Sequence, residues 1–484
     1  MSQATFGIPA SITKSLIMQN HGRYGSPSIS FAYSFKRMLL SRRERYLGIS
    51  LRKANKGCYL LVCVLKLGVV GLGYVGIVSS LGFAELGFNV VGVDVDTARV
   101  ESLSKGRPPV FEPGLEDYLK RNMKRAGGSG GGGVAVFTTD YTRLLGCDVV
   151  FITVGTPPRE GGGQNLEYFE GAVKMLREVG FRGVVVPRST VLPGTTERVV
   201  APLFEHVGYN PEFLAEGSAF RDFFNPDKIV LGYSDGVALE ALRKVYSPFN
   251  APKLELGVRE AELVKYANNA FLALKVAYAD EVGNIAKKLG VDVYRVMDAV
   301  GLDRRIGRAF LNAGIGFGGS CFPKDLAALI HLSRDLGYEP VLLDALLEQN
   351  RRQPLMLVDL LRTRVRERLG RPSLRGLRVG VLGLAFKPNT DDVREAPSIR
   401  VVSALLDEGV EVHAYDPRAE ENFRRLSPRF SSNVVYHATA KECVEACEAV
   451  LILTEWEEFR DASLYGGRLV LEGRRVLGVE GVCW

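Results

Sequence analysis

The chain is poor in the residues that hold metals and disulfides. Its 484 residues include only seven cysteines and five histidines. No two cysteines form a CxxC pair, and the histidines lack the spacing of metal ligands, so we expect no metal site and no disulfide framework. Free thiols are typical of a reducing compartment, and we therefore expect a cytoplasmic protein.

Acidic residues are almost missing from the N-terminal segment. The first 66 residues contain 11 lysines and arginines and one acid, Glu44, whereas the remainder contains 51 basic and 54 acidic side chains. The net charge of +7 therefore belongs to this extension. A basic arm could bind nucleic acid or a membrane surface, or could act as an organellar targeting segment. Because a clear strand pattern begins directly after it, we interpret residues 1–65 as a disordered or non-native extension, with no nucleic-acid partner.

Long uninterrupted apolar runs are also missing. Residues 59–83 are the nearest approach to one, but Lys66 and several glycines interrupt them. A transmembrane helix needs about 20 predominantly apolar residues, so no membrane partner is expected.

Glycine is present at spacings that have a known physical role. Gly71, Gly73 and Gly76 follow a buried-strand pattern at residues 67–70, and a second strand pattern ends at Asp94. This arrangement is typical of a dinucleotide-binding turn, in which the glycines permit a tight turn, close approach of a pyrophosphate and helix packing. The acid would bind the adenosine ribose and repel a 2′-phosphate, so the predicted cofactor is NAD. Further candidates at this cofactor site are Tyr74, Val75, Arg99 and Thr153.

A second glycine-rich turn leads into a thiol. Residues 316–319 precede Cys321, and Pro323 follows at a position that suits the first turn of a helix. Backbone N–H groups at a helix N-terminus favour a thiolate, which is a nucleophile. The sequence therefore predicts a reactive Cys321.

Two carboxylates, Glu212 and Glu216, lie four residues apart in the segment 210–218. If this segment is helical, both lie on one face, and their proximity could raise one pKa as a general acid or base requires.

The longest helical pattern runs over residues 261–290. It can connect two domains and supply a subunit interface. Lys265 and Asn269 are four residues apart on it and face the same way, so they could polarise a substrate oxygen.

Strand and helix patterns alternate again in the C-terminal part, with strands predicted within 377–386, 410–417 and 449–454. The predicted fold class is α/β, with two Rossmann-like doubly wound domains joined by a long central helix. We predict a cofactor-binding domain at 66–255, a central helical domain with the cysteine turn at 256–365, and a second Rossmann-like domain at 366–484.

In these motifs the chain resembles the UDP-glucose/GDP-mannose dehydrogenase family of nucleotide-sugar dehydrogenases. The similarity begins near Leu67 and rests on segments 71–76, 189–196, 210–217, 316–325 and 386–395 together with Lys265 and Asn269. The resemblance implies an NAD-dependent four-electron oxidation of UDP-glucose to UDP-glucuronate by a homodimer. It also implies that the C-terminal domain binds the UDP-sugar.

The resemblance further implies roles for individual residues. Cys321 would add to an aldehyde, and the thiohemiacetal would be oxidised to a thioester and hydrolysed. Lys265 would stabilise the oxyanion, while the division of acid–base work among Asp325, Glu216 and Lys265 stays open. The implied catalytic residues are Cys321, Lys265, Asn269, Asp325, Thr190 and Glu216.

The implied binding residues fall into two groups. Arg305 would reach the neighbouring subunit's site, and either Arg474 or Arg475 would bind phosphate, although Glu472-Gly473 stands where the family has Asp-Gly. The substrate group is Glu212, Lys265, Asn269, Arg305, Gly316, Phe317, Gly318, Gly319, Lys387 and Arg474. The cofactor group adds Thr190, Glu216, Lys324 and Arg394 to the residues of the first glycine turn.

Several alternatives stay open at this point. The substrate could be GDP-mannose or a UDP-N-acetylaminosugar. A two-electron β-hydroxyacid dehydrogenase would share the Rossmann domain, the long helix and a Lys/Asn pair, but neither the Cys321 motif nor the third domain. A non-catalytic protein whose basic extension binds nucleic acid is the alternative from another class.

Overall fold

The structure is a computed structural model that describes residues 49–54, 58–63, 65–128 and 132–484. Two strands pair antiparallel inside the basic extension, β1 (Ile49–Ala54) and β2 (Cys58–Cys63). The interpretation of residues 1–65 as a disordered or non-native extension stays a prediction, and the remainder of 1–64 lies outside the described residues. Within the described part of the chain, no helix is both long enough and apolar enough to cross a bilayer.

The first large sheet is all-parallel, with strand order β5-β4-β3-β6-β7. Its strands are rich in valine and buried on both faces, as parallel strands covered by helices must be. In the sheet, β4 lies on one side of β3 and β6 lies on the other. The connections after β3 and β6 therefore run in opposite directions, and a crevice opens at the carboxyl ends of these two strands. The strands are β3 (Lys66–Val70), β4 (Asn89–Val93), β5 (Ala135–Thr138), β6 (Val149–Ile152) and β7 (Val184–Pro187). The helices are α1 (Tyr74–Glu85), α2 (Thr97–Ser104), α3 (Leu115–Ala126) and α4 (Glu167–Glu178).

A small three-stranded sheet follows, in which β9 pairs antiparallel with β8 and parallel with β10. A bridge between Val185 and Val207 joins this region to β7. The elements are α5 (Thr195–Val199), β8 (Gly208–Tyr209), α6 (Ala219–Phe224), β9 (Ile229–Tyr233), α7 (Gly236–Val245) and β10 (Lys253–Gly257).

The central part is helical and is built around α8 (Val258–Leu289), a helix of 32 residues. The Glu260 carboxylate accepts from the Gly257 N–H at 2.7 Å and so closes the first turn, and Gly290 ends the helix with a φ of 68°. The predicted helix over 261–290 is therefore confirmed to within three residues. The other helices are α9 (Val293–Gly301), α10 (Phe322–Asp335) and α11 (Val341–Leu369).

The C-terminal sheet repeats the topology of the first one. Its order is β13-β12-β11-β14-β15, again all parallel. The strands are β11 (Arg378–Leu382), β12 (Glu411–Tyr415), β13 (Val434–Tyr436), β14 (Ala449–Ile452) and β15 (Leu469–Glu472). The helices are α12 (Pro397–Asp407), α13 (Glu420–Arg425), α14 (Pro428–Asn433) and α15 (Ala440–Glu445). Short 3-10 helices are at Tyr141–Gly146, Glu160–Gly162, Glu457–Arg460 and Ala462–Tyr465. Two Rossmann-like sheets and a long central helix are as predicted, whereas the boundaries 66–255, 256–365 and 366–484 stay predictions.

Candidate active site

The first glycine turn has the geometry of a dinucleotide cradle. Gly71 has a φ of 93°, and a Cβ at Gly76 would lie 1.9 Å from the carbonyl oxygen of Gly71. A Cβ at Gly73 would meet no atom within 4 Å, so the space above this residue is free for a ligand. Thr153, directly after β6, donates its hydroxyl to the Gly71 carbonyl at 2.6 Å and fixes the turn. The turn and the N-terminus of α1 therefore fit the pyrophosphate of NAD.

Asp94 is buried at the end of β4, beside this turn. Its carboxylate accepts from the Leu72 N–H at 2.6 Å and from the Asp96 N–H at 2.9 Å, and Arg99 Nη1 lies 3.2 Å away. An acceptor carboxylate held here suits a ribose with free hydroxyls and opposes a 2′-phosphate. The position therefore fits NAD, and Arg99 is placed at the same edge.

Glu112 is a residue that the sequence analysis missed. Its carboxylate accepts from the Tyr74 hydroxyl, from the Gly217 N–H at 2.6 Å and from the Ala219 N–H at 2.8 Å. Glu112 thus joins the cofactor turn to the segment that carries Glu216. The only signal in the sequence is an acid between Phe111 and Pro113.

A cavity of about 610 Å³ opens between the first Rossmann-like sheet, the central helices and the C-terminal sheet. It brings together candidates from four separate sequence motifs. The predicted residues that line it are Glu212, Glu216, Lys265, Asn269, Gly318, Gly319, Cys321 and Lys387.

Lys265 lies in the wall of this cavity and is held by Glu212. Its Nζ donates to Glu212 Oε1 at 2.9 Å and to the Glu212 carbonyl oxygen at 2.7 Å. Burial opposes the charge on Lys265, but its acidic neighbours, first among them the Glu212 carboxylate, outweigh burial and raise the pKa of the lysine. Burial likewise raises the pKa of Glu212, and Lys265 more than reverses this, so the pKa of Glu212 lies below its usual value. Both groups are therefore ionised, and a fixed cation faces the cavity.

Asp325 lies behind Asn269 in the first turn of α10 and is almost fully buried. Its Oδ2 accepts from Asn269 Nδ2 at 2.7 Å, and its Oδ1 accepts from Lys324. Asn269 is thereby oriented with its amide toward the carboxylate, which places Asp325 one side chain away from the cavity. Lys324 forms an ion pair with its neighbour Asp325 and does not line the cavity.

Cys321 is the N-cap residue of α10, as the glycine turn and Pro323 predict. The residue is open to solvent at the cavity mouth, and the Ser320 hydroxyl lies 3.6 Å from its sulfur. The surrounding protein still desolvates the sulfur, which raises its pKa more than the positive charge of Lys265 lowers it. The expectation that the helix N-terminus lowers the pKa of Cys321 is therefore not met, because desolvation outweighs the stabilising charges.

The segment 210–218 is not a helix. The prediction that Glu212 and Glu216 share one helical face is therefore wrong. The two carboxylates point to different partners: Glu212 to Lys265, and Glu216 to the Thr390 hydroxyl at 3.1 Å and Arg394 at 3.5 Å. The pKa of Glu216 is raised to about 7, first by burial and then by the charge of Asp392, while Arg394 opposes the shift. The pKa of the Glu216 carboxyl group thus lies near neutral pH, but Glu212 does not cause the shift.

Other predicted residues lie away from the cavity wall. Arg305 is exposed and pairs with Asp303. The Thr190 carbonyl accepts from Thr156 Oγ1 at 2.7 Å and from Gln164 Nε2 at 3.0 Å, so Thr190 is part of a braced turn after β7. Gly316 and Phe317 lie within the turn beneath the cavity, where the Gly316 carbonyl accepts from Arg474.

Lys228 is a second cavity residue that the sequence analysis missed. Its Nζ donates to Asn268 Oδ1 at 2.8 Å and lies 4.3 Å from the centre of the Phe213 ring. The same ring is 5.5 Å from Lys265 Nζ, so two cations flank one aromatic side chain. No sequence motif marks Lys228, because a single lysine before a strand is common.

Three domain descriptions match this chain in order. They are the UDP-glucose/GDP-mannose dehydrogenase family NAD binding domain over residues 65–250, the family's central domain over 259–352 and its UDP binding domain over 380–479. The matches cover the two Rossmann-like sheets and the long helix between them.

Similar proteins were found among characterised sequences and solved structures. The UDP-glucose 6-dehydrogenase AglM of Haloferax volcanii is 41% identical over 437 residues, which is 85% of this chain and 97% of that protein. The UDP-glucose 6-dehydrogenase YwqF of Bacillus subtilis is 39% identical over 83% of this chain and 90% of its own length. The structure of a UDP-glucose dehydrogenase from Pyrobaculum islandicum aligns with a TM-score of 0.80 at 45% identity, covering 87% of this chain and 98% of that one.

Proposed function

Because the chain belongs to the UDP-glucose/GDP-mannose dehydrogenase family, we propose that it oxidises UDP-glucose to UDP-glucuronate with two equivalents of NAD. One observation carries the proposal. A thiol, Cys321, an ionised lysine, Lys265, and the amide of Asn269, which is bonded to Asp325, line one cavity. Glu112 ties the Glu216 segment of that cavity to the cofactor turn. A two-electron alcohol dehydrogenase has no need of the thiol.

The residues act in sequence on the sugar C6 carbon. NAD, when bound, supplies the hydride acceptor for each of the two oxidations. Lys265 stabilises the alkoxide as the alcohol becomes an aldehyde. The Cys321 thiol then gives its proton to solvent, and its sulfur bonds to the aldehyde carbon as the C=O π bond opens. The oxyanion of the resulting thiohemiacetal again lies beside Lys265. Loss of the second hydride from this adduct gives a thioester.

Hydrolysis completes the reaction and restores the thiol. Water adds to the thioester carbonyl, the C–S bond breaks, and the carboxylate leaves while the cysteine recovers a proton. Asp325, held by Asn269 and Lys324, and Glu216, whose pKa lies near 7, are the two candidate bases for that water. Thr190 lies in the braced turn after β7 and supports the same region.

The binding groups divide between the two Rossmann-like parts. Lys387, which lies against Phe386 at the cavity, and Arg474 would pair with the diphosphate of the substrate. Gly318 and Gly319 would bind the sugar through their backbone, and Arg394 would reach the cofactor from the C-terminal side. The relatives named UDP-glucose 6-dehydrogenase share about two-fifths of their residues with this chain, whereas a UDP-D-ManNAc dehydrogenase structure from Pyrococcus horikoshii shares 26%. This difference favours UDP-glucose over an N-acetylaminosugar.

The test is the stoichiometry of NADH with a panel of nucleotide sugars. UDP-glucose, GDP-mannose and UDP-N-acetylaminosugars are supplied in limiting amounts with excess NAD, and absorbance of NADH is followed to completion. We expect two NADH per UDP-glucose and far slower turnover of the others. One NADH per sugar would instead indicate a two-electron enzyme. Faster turnover of another nucleotide sugar would show that this sugar, and not UDP-glucose, is the substrate.

A Cys321→Ser variant separates the covalent route from the first oxidation. It should lose production of the acid while the protein still binds NAD and the sugar, with Ser320→Ala as the neighbouring control. Acid formation at an unchanged rate in Cys321→Ser would contradict the thioester route.

We further propose that the protein is a homodimer. Phe271, Tyr278, Ile285 and Leu289 are exposed apolar residues on α8, spaced so that they share one face of the helix. Arg305 is exposed and could then reach a neighbouring cavity. Light scattering on the full chain tests this, and a monomer at micromolar concentration would contradict it.

We also propose a cytoplasmic location. The five cysteines from Cys147 to Cys483 are free thiols, which suits a reducing compartment. Fractionation of cells that produce the full chain would test the location, and recovery with an organelle or the cell exterior would contradict it.

A further inference from the structure

The glycine turn ahead of Cys321 is held by three side chains, two from α11 and one from the segment after β15. Gln353 of α11 donates to the Gly314 carbonyl at 2.7 Å. Asn350, one helical turn earlier, accepts from the Phe317 N–H at 2.7 Å and donates to the Phe317 carbonyl at 3.0 Å. Arg474, just after β15, donates to the Gly316 carbonyl. The backbone of this turn therefore has few conformations open to it.

Asp280 in the middle of α8 is the fourth contact of the turn. Its Oδ1 accepts from the Gly314 N–H at 2.6 Å, and only 1% of the residue is exposed. Among the described residues, no lysine or arginine forms an ion pair with Asp280. A carboxylate in such a place costs far more than an amide, so a purely structural role would not require an acid.

Arg474 is the charged side chain that acts most strongly on the Asp280 carboxylate. A Cβ at Gly314 would lie 2.8 Å from Arg474 Nη1, so the guanidinium lies directly against the turn that Asp280 holds. Burial raises the pKa of Asp280 to about 7, and Arg474 opposes that shift. A change in the charge of Asp280 therefore affects both the turn and the Arg474 guanidinium beneath the substrate cavity.

Two other titratable groups near Asp280, Cys483 and Tyr294, carry no charge at neutral pH, and the adjacent Glu281 is exposed to solvent. The Cys483 thiol lies 3.8 Å from the Asp280 carbonyl and 3.5 Å from the Gly314 carbonyl, and burial raises its pKa. Tyr294 donates to the neighbouring Ala313 carbonyl at 2.8 Å, and burial raises its pKa too. Arg474 is thus the charged group to which Asp280 responds.

We propose that Asp280 is a positioning residue that sets the 314–319 turn and the Arg474 guanidinium for a nucleotide-sugar diphosphate. The inference rests on the proposed function for its ligand, but the contacts to the turn stand without it. The negative charge of an ionised Asp280 weakens the positive potential that the Arg474 guanidinium offers to a diphosphate. By linkage, ligand binding then favours the protonated carboxyl, and affinity falls as the pH rises through neutrality.

Two substitutions separate the contact from the charge. Asp280→Leu removes the acceptor of the Gly314 N–H, whereas Asp280→Asn keeps an acceptor of the same shape and removes the titration. Glu281→Gln is the matched control, since Glu281 is the next residue on α8 and is exposed. Neither position belongs to the groups that contact the reacting atoms.

The first measurement is calorimetric binding of UDP-glucose without NAD, at about pH 6 and about pH 8. The sugar diphosphate does not titrate in this range, so any pH dependence belongs to the protein. We expect Asp280→Leu to weaken binding about tenfold. We expect Asp280→Asn to match the native protein at the lower pH and to bind UDP-glucose more tightly than the native protein at about pH 8, while the pH dependence that comes from Glu216 remains. An Asp280→Asn variant with the native pH dependence would overturn the electrostatic part of the proposal.

The second measurement needs no ligand. Amide hydrogen exchange over residues 311–320 should be faster in Asp280→Leu and unchanged in Asp280→Asn and Glu281→Gln. Native exchange in Asp280→Leu would overturn the positioning role. If UDP-glucose failed to bind the native protein, the proposed function would fall, while this exchange experiment would still decide the role of Asp280.

Discussion

Lys265 and Glu212 form a buried ion pair, with Nζ 2.9 Å from Oε1 and the two side chains 5% and 8% exposed. The lysine is also bonded to the Glu212 carbonyl, so its position in the cavity wall is fixed from two directions. A cation fixed in advance can stabilise a developing oxyanion without reorganising during the reaction.

Removal of Lys265 should damage both activity and stability. In Lys265→Met we expect kcat/KM to fall by about 10³-fold because the oxyanion loses its cation. We also expect stability to fall by about 3 kcal/mol because Glu212 is left as an uncompensated buried charge. Steady-state kinetics and thermal unfolding measure the two effects. Lys228→Met is the matched control, since Lys228 lies at the same cavity and bonds a neutral amide; equal losses in both variants would contradict the role of the pair.

The rate should depend on the ionisation of Glu216. Its pKa is raised to about 7 by burial and by Asp392, so a base function requires pH above neutrality and kcat should rise as the pH passes through about 7. In Asp392→Asn the negative neighbour is gone and Arg394 is released toward Glu216, so the inflection should move to lower pH by about one unit. The pH profile of kcat checks this. Asp391→Asn should leave the inflection in place, and a profile that does not move in Asp392→Asn would assign the base to Asp325.

Alanine substitutions in the first glycine turn should separate folding from cofactor binding. At Gly76 the added Cβ would lie 1.9 Å from a backbone oxygen, so Gly76→Ala should destabilise the protein by about 1–3 kcal/mol or more. At Gly73 the added Cβ meets nothing within 4 Å, so Gly73→Ala should keep its melting temperature and raise KM for NAD. Thermal unfolding and NAD titration distinguish the two. A Gly73→Ala protein with native affinity for NAD would place the pyrophosphate elsewhere.

Glu112 should affect the cofactor more than the sugar. Glu112→Ala leaves the Tyr74 hydroxyl and the two N–H groups of Gly217 and Ala219 without their acceptor, so the contact between the cofactor turn and the Glu216 segment loosens. We expect KM for NAD to rise about tenfold with a smaller change for UDP-glucose. Glu116→Ala is the control, because Glu116 is exposed and pairs with Lys120 on its own helix. Unchanged kinetics in Glu112→Ala would limit its role to the fold.

The parts of the fold that depend on local sequence were predictable. The turn from Gly71 to Gly76, the acid Asp94 and the long helix are each specified by spacing within a short segment. The placement of Cys321 at the start of α10 follows in the same way from the glycine turn and Pro323.

The parts that depend on distant partners were not predictable from spacing. Glu212 and Glu216 look like a helical pair, yet their partners are 53 and 174 residues away in sequence, at Lys265 and Thr390. The long-range contacts override the local pattern, and the segment forms no helix. The pKa of Cys321 was misjudged for a related reason, because desolvation depends on what surrounds the sulfur and not on the helix that begins beside it.

The single helix α8 carries Lys265 and Asn269 near its start and Asp280 three turns later, within 32 residues or about 48 Å. Helical geometry fixes the spacing between the oxyanion cation and the carboxylate beneath the sugar turn. Because a helix cannot lengthen, Lys265, Asn269 and Asp280 keep a fixed separation along α8. The groups that stabilise the oxyanion and the carboxylate that holds the sugar turn are therefore spaced by one helix. A residue inserted between Asn269 and Asp280 would shift these two sets of groups relative to each other.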